Sequence, residues 1–127
     1  PLFEFGDPND VILARNWLKP FSKLGQTTLF RFKVGAQAYL LEDFQKDPQG
    51  IAERFRFEQH YVTKSVRGGV RFWPKAWVKH YRAHCLPGYI ARYFRPAVIP
   101  KGARVIAFPG EPNPADALHH NYGHALS

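Results

Sequence analysis

Proline and glycine interrupt this chain so often that none of its helices or strands can be long. The 127 residues include 11 prolines and 10 glycines, which end regular elements or turn the chain. Because 45% of the residues are apolar and 16% are aromatic, burial can still offset the entropy lost on folding. We therefore predict one folded domain, residues 1–127, built from short elements.

The hydrophobic pattern predicts strands that alternate with helices. Strands are expected at residues 11–17, 27–35, 70–74 and 104–110. Helices are expected at residues 36–48 and 50–65, with a turn into a short helix at 110–118. Less regular structure is expected at 76–82, ambiguous with a strand, and at 86–101, a loop packed by its own side chains. The alternation indicates an α/β fold, a mixed sheet with flanking helices.

The chain is basic, with a net charge of +8 from 18 Lys and Arg against 10 Asp and Glu. Such a charge attracts nucleic acid, an anionic membrane face or a phosphorylated ligand, although it also keeps a domain soluble. No strong nucleic-acid signature occurs, and no apolar run approaches the roughly 20 residues that span a bilayer. The single cysteine, Cys85, excludes an internal disulfide and fits a reducing compartment, so we predict a cytoplasmic protein.

Histidines form two HxxxH pairs, His80 with His84 and His120 with His124. On a helix this spacing places both rings on one face, where a metal could bind. Neither pair has an acidic neighbour to complete the site, so surface histidines are favoured and no metal ligand is assigned. Cys85 adjoins His84, but adjacency does not make a nucleophile and its base, so a small buried apolar residue is expected.

A carboxylate stands beside an amide at Glu58 and Gln59 in the basic, aromatic segment RFRFEQHYV. Such a pair can grip sugar hydroxyls, or the carboxylate can act as a general base. The alternative is a surface ion pair between Glu58 and Arg54. Trp73 and Trp77 are candidates for stacking on sugar rings, and core packing is their alternative.

The turn GEPNP at residues 110–114 follows the clearest predicted strand. Ligands of open α/β sheets bind beyond the carboxyl ends of strands, where backbone amides can hold phosphate oxygens. A plain turn is the alternative.

In their order along the chain, six segments resemble a group of bacterial glycosyltransferases of the GT-A-type fold. The segments are PLFEFGDPND, VILARNW, GQTTLFRFKVGAQAYLLEDF, FRFEQHYVT, VRFWPKAWVKHYRAHCLP and RVIAFPGEPNPADAL. The resemblance covers most of the chain and implies the acceptor-side half of a nucleotide-diphospho-sugar transferase fold. In such enzymes an Asp-x-Asp strand binds a divalent metal shortly before a phrase like PLFEF, and this chain contains no Asp-x-Asp.

The resemblance therefore implies a C-terminal fragment of a larger glycosyltransferase domain, inactive without the missing N-terminal half. Mn²⁺ or Mg²⁺ is expected for the intact enzyme, and none from this chain alone. In the resemblance, Gln26, Thr27 and Thr28 match a polar segment that lines the sugar or acceptor site. Glu58, the expected catalytic residue, and Gln59 match an acidic-amide pair at the head of the acceptor-facing helix.

The same resemblance places the donor diphosphate at Gly110 and Asn113. Related enzymes have a lysine in this turn and a histidine before its glycine, where this chain has Asn113 and Pro109. The expected partners are a nucleotide-sugar donor and a glycan or lipid-linked acceptor. The alternative is a basic, aromatic binding or interaction domain without enzymatic activity, for nucleic acid or protein.

Overall fold

A computed structural model describes residues 2–19 and 21–119, with the side chain of His119 excepted. Contacts divide the chain into two compact units, the first ending at Trp73 and the second beginning at Pro74. The predicted α/β class with a mixed sheet and helices is confirmed. That residues 1–127 make a single domain stays a prediction.

The elements of the described residues are short, as the proline and glycine content predicts. The strands are β1 Ile12–Arg15, β2 Gly25–Arg31, β3 Arg71–Phe72, β4 Val78–His80 and β5 Val105–Ala107. The α-helices are α1 Ala38–Lys46, α2 Pro48–Arg54, α3 Glu58–Ser65 and α4 Pro114–His119. A π-helix, Tyr81–Cys85, and a 3-10 turn, Ala91–Tyr93, complete the set.

Strand β1 is the centre of the first unit. It pairs antiparallel with β2 and parallel with β3, which gives the sheet order β2-β1-β3. Ile12, Leu13 and Ala14 are all buried. A central strand covered on both faces requires a continuous apolar run, and VILA supplies it. Leu13 forms a core cluster with Val11 and Val66.

The single helix predicted at residues 50–65 is wrong, because the backbone extends at Phe55 and Phe57 between α2 and α3. Phe55 thereby places its ring edge-on to Tyr61, with 5.5 Å between ring centroids. The aromatic contact replaces the helical turn that propensity alone predicted. Helix α2 also begins earlier than expected, because the Asp47 carboxylate accepts from the Gly50 N–H at 3.0 Å and Pro48 occupies the first turn.

The second unit contains the parallel pair β4 and β5, with Val78 opposite Val105 and His80 opposite Ala107. The ambiguous segment 76–82 forms β4 and enters the π-helix. Behind this pair the Tyr81 ring stacks on Phe108 at 4.6 Å between centroids. The expectation that residues 86–101 are packed by their own side chains is wrong in part, because six large apolar side chains of this segment are exposed.

Gly25 marks the closest approach of β2 to the core. A Cβ built there would collide with Leu13 Cδ1 and lie 3.0 Å from Thr63 Oγ1. We expect Gly25→Ala to lower the free energy of unfolding by about 1–3 kcal/mol, as overpacking does. Urea denaturation measures the change. Gly88→Ala is the matched control, since nothing lies within 4 Å of its new Cβ. Equal losses in both variants would contradict the expected collision.

Candidate functional site

Two residues that the sequence suggested for one site meet directly in the first unit. The Thr27 hydroxyl donates to Glu58 Oε1 at 2.9 Å, across 31 residues of chain. Thr27 belongs to β2, and Glu58 is the first residue of α3. A second bond fastens the same elements, because the Gly25 N–H donates to Thr63 Oγ1 at 3.0 Å. Helix α3 therefore holds its carboxylate at a defined place beside β2.

The pairing of β2 with β1 is irregular beside Thr27. Gln26 and Phe30 pair with the adjacent β1 residues Ala14 and Leu13, so the residues between them leave the regular ladder. The neighbouring residues of the predicted polar segment, Gln26 and Thr28, are not among the residues that line the cavity described next.

An open cavity of about 500 Å³ lies beside the Thr27–Glu58 pair. Its walls are largely apolar and come from β1, β2, α1, α3 and the segment between β2 and α1. Phe30, Phe32 and Leu41 line it and are themselves partly open to solvent. Concave apolar walls with a few polar groups are typical of small-molecule sites.

Gln37 supplies a third polar group to the cavity. Its side-chain Oε1 is buried and has no hydrogen-bond partner among the described residues. A buried acceptor without a donor is destabilising, so each one calls for an explanation. Glu58 presents acceptor oxygens at the cavity, which favours a ligand that donates hydrogen bonds, such as one with hydroxyls. Sequence reasoning missed Gln37, since an amide before a helix matches no motif.

Tyr61 holds α1 against α3 on one side of the cavity. Its hydroxyl donates to the Leu40 carbonyl at 2.7 Å. Burial, and next the Asp43 carboxylate, raise the pKa of this phenol above its usual value. The phenol therefore stays a neutral donor through the physiological range. Arg54, the alternative partner of Glu58, instead directs its guanidinium to Asp47 at 3.5 Å.

The other predicted acceptor residues lie in differing surroundings. Trp73 is only 3% exposed, and its ring packs against Phe5 at 5.6 Å between centroids. Trp77 belongs to the second unit, where the Arg104 guanidinium lies 4.8 Å from its ring centroid. Gln59 follows Glu58 in α3, and its carbonyl accepts from the Thr63 hydroxyl at 2.6 Å.

The predicted diphosphate turn lies in the second unit. Gly110 is exposed with φ of 79°, a conformation that glycine adopts without strain. Asn113 caps α4: its side-chain oxygen accepts from the Asp116 N–H at 3.0 Å. Its own N–H donates to the Asp116 carboxylate at 3.0 Å. This reciprocal pair engages the Asn113 side-chain oxygen within the protein.

Within the described residues, no group of three or more His, Cys, Asp or Glu side chains could hold a metal. Glu58 is the one carboxylate among the described residues that line the cavity, and the Mn²⁺ or Mg²⁺ expected of an intact enzyme stays a prediction. His84 Nδ1 accepts from the His80 N–H at 2.9 Å, which engages one ring nitrogen. His120 and His124 lie outside the described residues.

Cys85 and His80 are both shielded in the second unit. Burial raises the pKa of the Cys85 thiol, so the reactive thiolate is disfavoured. The pKa of His80 is lowered first by burial and next by the neighbouring His84 and Arg82 side chains. Cys85 is buried as the small apolar residue that the sequence suggested.

Comparisons with protein-family models, with curated proteins and with solved structures found no match to this chain. Among the described residues, no helix combines the length and the apolar character that crossing a membrane requires.

Proposed function

We propose that this chain is the acceptor-side part of a GT-A-type glycosyltransferase, which transfers a sugar from a nucleotide-diphosphate donor to a glycan or lipid-linked acceptor. The observation that carries the proposal is the Thr27–Glu58 bond of 2.9 Å beside an open cavity. Two residues from the separate segments that resemble an acceptor site are neighbours in space, and one of them is a carboxylate.

Glu58 is the proposed general base. Its Oε1 accepts from Thr27, which leaves Oε2 to accept from an acceptor hydroxyl. As that hydroxyl oxygen bonds to the anomeric carbon of the sugar, its proton moves to the Glu58 carboxylate. The bond between the anomeric carbon and the diphosphate oxygen breaks, and its electron pair leaves with the diphosphate. Thr27 acts as a positioning residue by fixing the carboxylate rotamer.

The cavity walls favour a lipid-linked acceptor over a bare glycan. Phe30, Phe32 and Leu41 offer apolar surface that a sugar alone does not require. Apolar walls bind the hydrocarbon part of an acceptor, and Glu58 lies at the exposed side of the same cavity, where an acceptor hydroxyl can reach it.

This part of the chain offers fewer candidate residues for the donor site than for the acceptor site. A net charge of +8 attracts an anionic nucleotide sugar, and the turn that carries Gly110 and Asn113 is its proposed diphosphate contact. A divalent metal, when bound in an intact enzyme, neutralises charge that develops on the leaving diphosphate. None of the steps assigned to Glu58 and Thr27 requires it.

Removal of the Thr27 hydroxyl should slow transfer without unfolding the chain. We expect Thr27→Val to lower kcat about tenfold, since a hydrogen bond to a charged group contributes about 1.5–3 kcal/mol and part of it is replaced by water. KM should change little. Thr27→Ser keeps the hydroxyl and should restore kcat, and Thr28→Val is the matched control on the exposed neighbour. A fall in kcat that serine does not rescue would contradict the positioning role.

The activity itself is tested on the full natural gene product that carries this chain. The protein is incubated with UDP-, GDP- and dTDP-sugars, Mg²⁺ or Mn²⁺, and either polyprenyl-phosphate-linked or free oligosaccharides. Chromatography measures the release of nucleoside diphosphate. Acceptor-dependent release supports the proposal. Failure with every donor, together with salt-sensitive binding of a polynucleotide, would instead indicate the non-enzymatic binding domain.

A further inference from the structure

The segment 89–99 of the second unit exposes an unusual amount of apolar surface. Ile90 is 76% and Phe94 is 77% exposed. The exposed apolar side chains of this segment, with those two included, are Tyr89, Ile90, Tyr93, Phe94, Val98 and Ile99. Singly exposed apolar residues are ordinary, but a run of this size in a folded protein marks an interaction surface.

The backbone of this segment is ordered by hydrogen bonds. The Arg92 N–H donates to the Gly88 carbonyl and the Arg95 N–H to the Ala91 carbonyl, both at 2.9 Å. Each bond closes a single turn of the chain, on either side of the 3-10 turn Ala91–Tyr93. The Tyr89 and Tyr93 rings contact edge-on at 6.4 Å between centroids.

A further bond fixes the end of the turn. The Val98 N–H donates to the carbonyl of the buried Cys85 at 2.8 Å. The exposed apolar groups are therefore carried on a scaffold tied to the core of the second unit.

Positive charge surrounds the apolar groups. Residues 59–110 contain ten lysines and arginines and no aspartate or glutamate. Arg92 and Arg95 alternate with the exposed aromatics, and Lys101 follows them. The ion pairs at Lys46, Arg54, Arg67 and Arg71 all lie outside the segment 89–99.

We propose that residues 89–99 form a docking surface for an anionic phospholipid bilayer. Tyrosines favour the interface between headgroups and acyl chains, and the exposed aliphatic side chains enter the apolar edge of the bilayer. The exposed Arg95 and Lys101 meet the phosphates of anionic lipids, whereas the Arg92 guanidinium lies over the Tyr89 ring, 5.3 Å from its centroid. A nucleic acid would satisfy the cations but leave Ile90, Val98 and Ile99 in water, since aliphatic groups do not stack on bases as rings do.

Docking on a membrane surface is independent of the transferase chemistry. Nothing in it uses Glu58, Thr27 or the cavity of the first unit. If the protein lacks transferase activity but binds vesicles, the docking proposal holds and the proposed function does not. If the protein is active but does not bind vesicles, the docking proposal is wrong.

The test is co-sedimentation of the full natural gene product with vesicles at 0.1 M salt. Vesicles of phosphatidylcholine with one quarter phosphatidylglycerol are compared with vesicles of phosphatidylcholine alone. We expect strong binding to the anionic vesicles, weaker binding at 0.5 M salt and little binding to the neutral ones. The double variant Ile90→Ser with Phe94→Ser should bind at least tenfold more weakly, as less apolar surface is inserted. Arg95→Gln should bind about fivefold more weakly.

Matched controls separate docking from general effects. Phe21→Ser removes a phenylalanine of the first unit that is 99% exposed, and Arg56→Gln removes an exposed arginine there. Both should bind as the natural protein does, and every variant should keep its melting temperature. Absence of binding to anionic vesicles overturns the proposal. The proposal is also wrong if the Ile90 and Phe94 double variant binds anionic vesicles as strongly as the natural protein does. It is likewise wrong if these residues bind a polynucleotide or a protein but no vesicle.

Discussion

Leu13→Ala will lower the free energy of unfolding by about 3 kcal/mol, within the range of about 2–5 kcal/mol for buried leucine truncations. Leu13 lies in the central strand β1, is 1% exposed and packs in the core cluster with Val11 and Val66. Its removal takes away both the transfer free energy of the side chain and the contacts that its neighbours make. Urea denaturation followed by far-UV circular dichroism measures the loss.

Leu18→Ala is the control for that loss, because it is the same substitution at a leucine that is 88% exposed. Surface substitutions of this kind change the stability by about 0.5 kcal/mol or less. Similar denaturation midpoints for the two variants would show that β1 is not the centre of the core. Since Leu13 also lines the cavity, the alanine variant should in addition alter acceptor binding.

Glu58→Gln will lower the rate of sugar transfer by about 10²–10⁴-fold, the usual contribution of a general base. The glutamine keeps an oxygen that can accept from the Thr27 hydroxyl, so the geometry of the 2.9 Å contact persists. It cannot take the proton of the acceptor hydroxyl. KM for the acceptor should therefore stay within a few-fold while kcat falls. Steady-state kinetics on the full natural gene product separates the two.

The matched control for Glu58→Gln is Glu53→Gln, an exposed glutamate on α2. Gln49 Nε2 donates to the Glu53 carboxylate at 2.9 Å, so this residue also has a hydrogen-bonded carboxylate, but it does not line the cavity. Its variant should keep full activity. If Glu58→Gln retained full activity as well, Glu58 would be a structural partner of Thr27 and the base would have to be sought elsewhere.

Local patterns predicted most elements because the signals that create them are local. The apolar run VILA predicted a buried strand, and the alternation over residues 27–35 predicted the strand that becomes β2. The helix at residues 36–48 followed from apolar spacing that ends at a proline, and α1 confirms it. The single helix predicted at 50–65 was wrong because the backbone is extended at Phe55 and Phe57, where the Phe55 ring contacts Tyr61.

For the candidate site, the sequence predicted individual residues but not the contacts between them. Glu58 was named from its residue pattern and from the resemblance, and Thr27 from the resemblance alone, but their contact depends on the packing of α3 against β2. Gln37 had no sequence signal, because whether a buried oxygen lacks a donor depends on what folds around it. Trp73 was a candidate for stacking on sugar rings, and the structure buries it instead. Its burial depends on β3 pairing parallel to β1.

The sequence by itself determined the α/β class, the central apolar strand and the short elements, since periodicity and the backbone limits of proline and glycine act within a few residues. Only the tertiary structure decided which side chains meet, because register and bulges set contacts between residues distant in the chain. The same holds for the exposed run of residues 89–99. Its composition predicted a loop packed by its own side chains, whereas the folded backbone, with its bonds to Gly88, Ala91 and Cys85, leaves six large apolar side chains exposed.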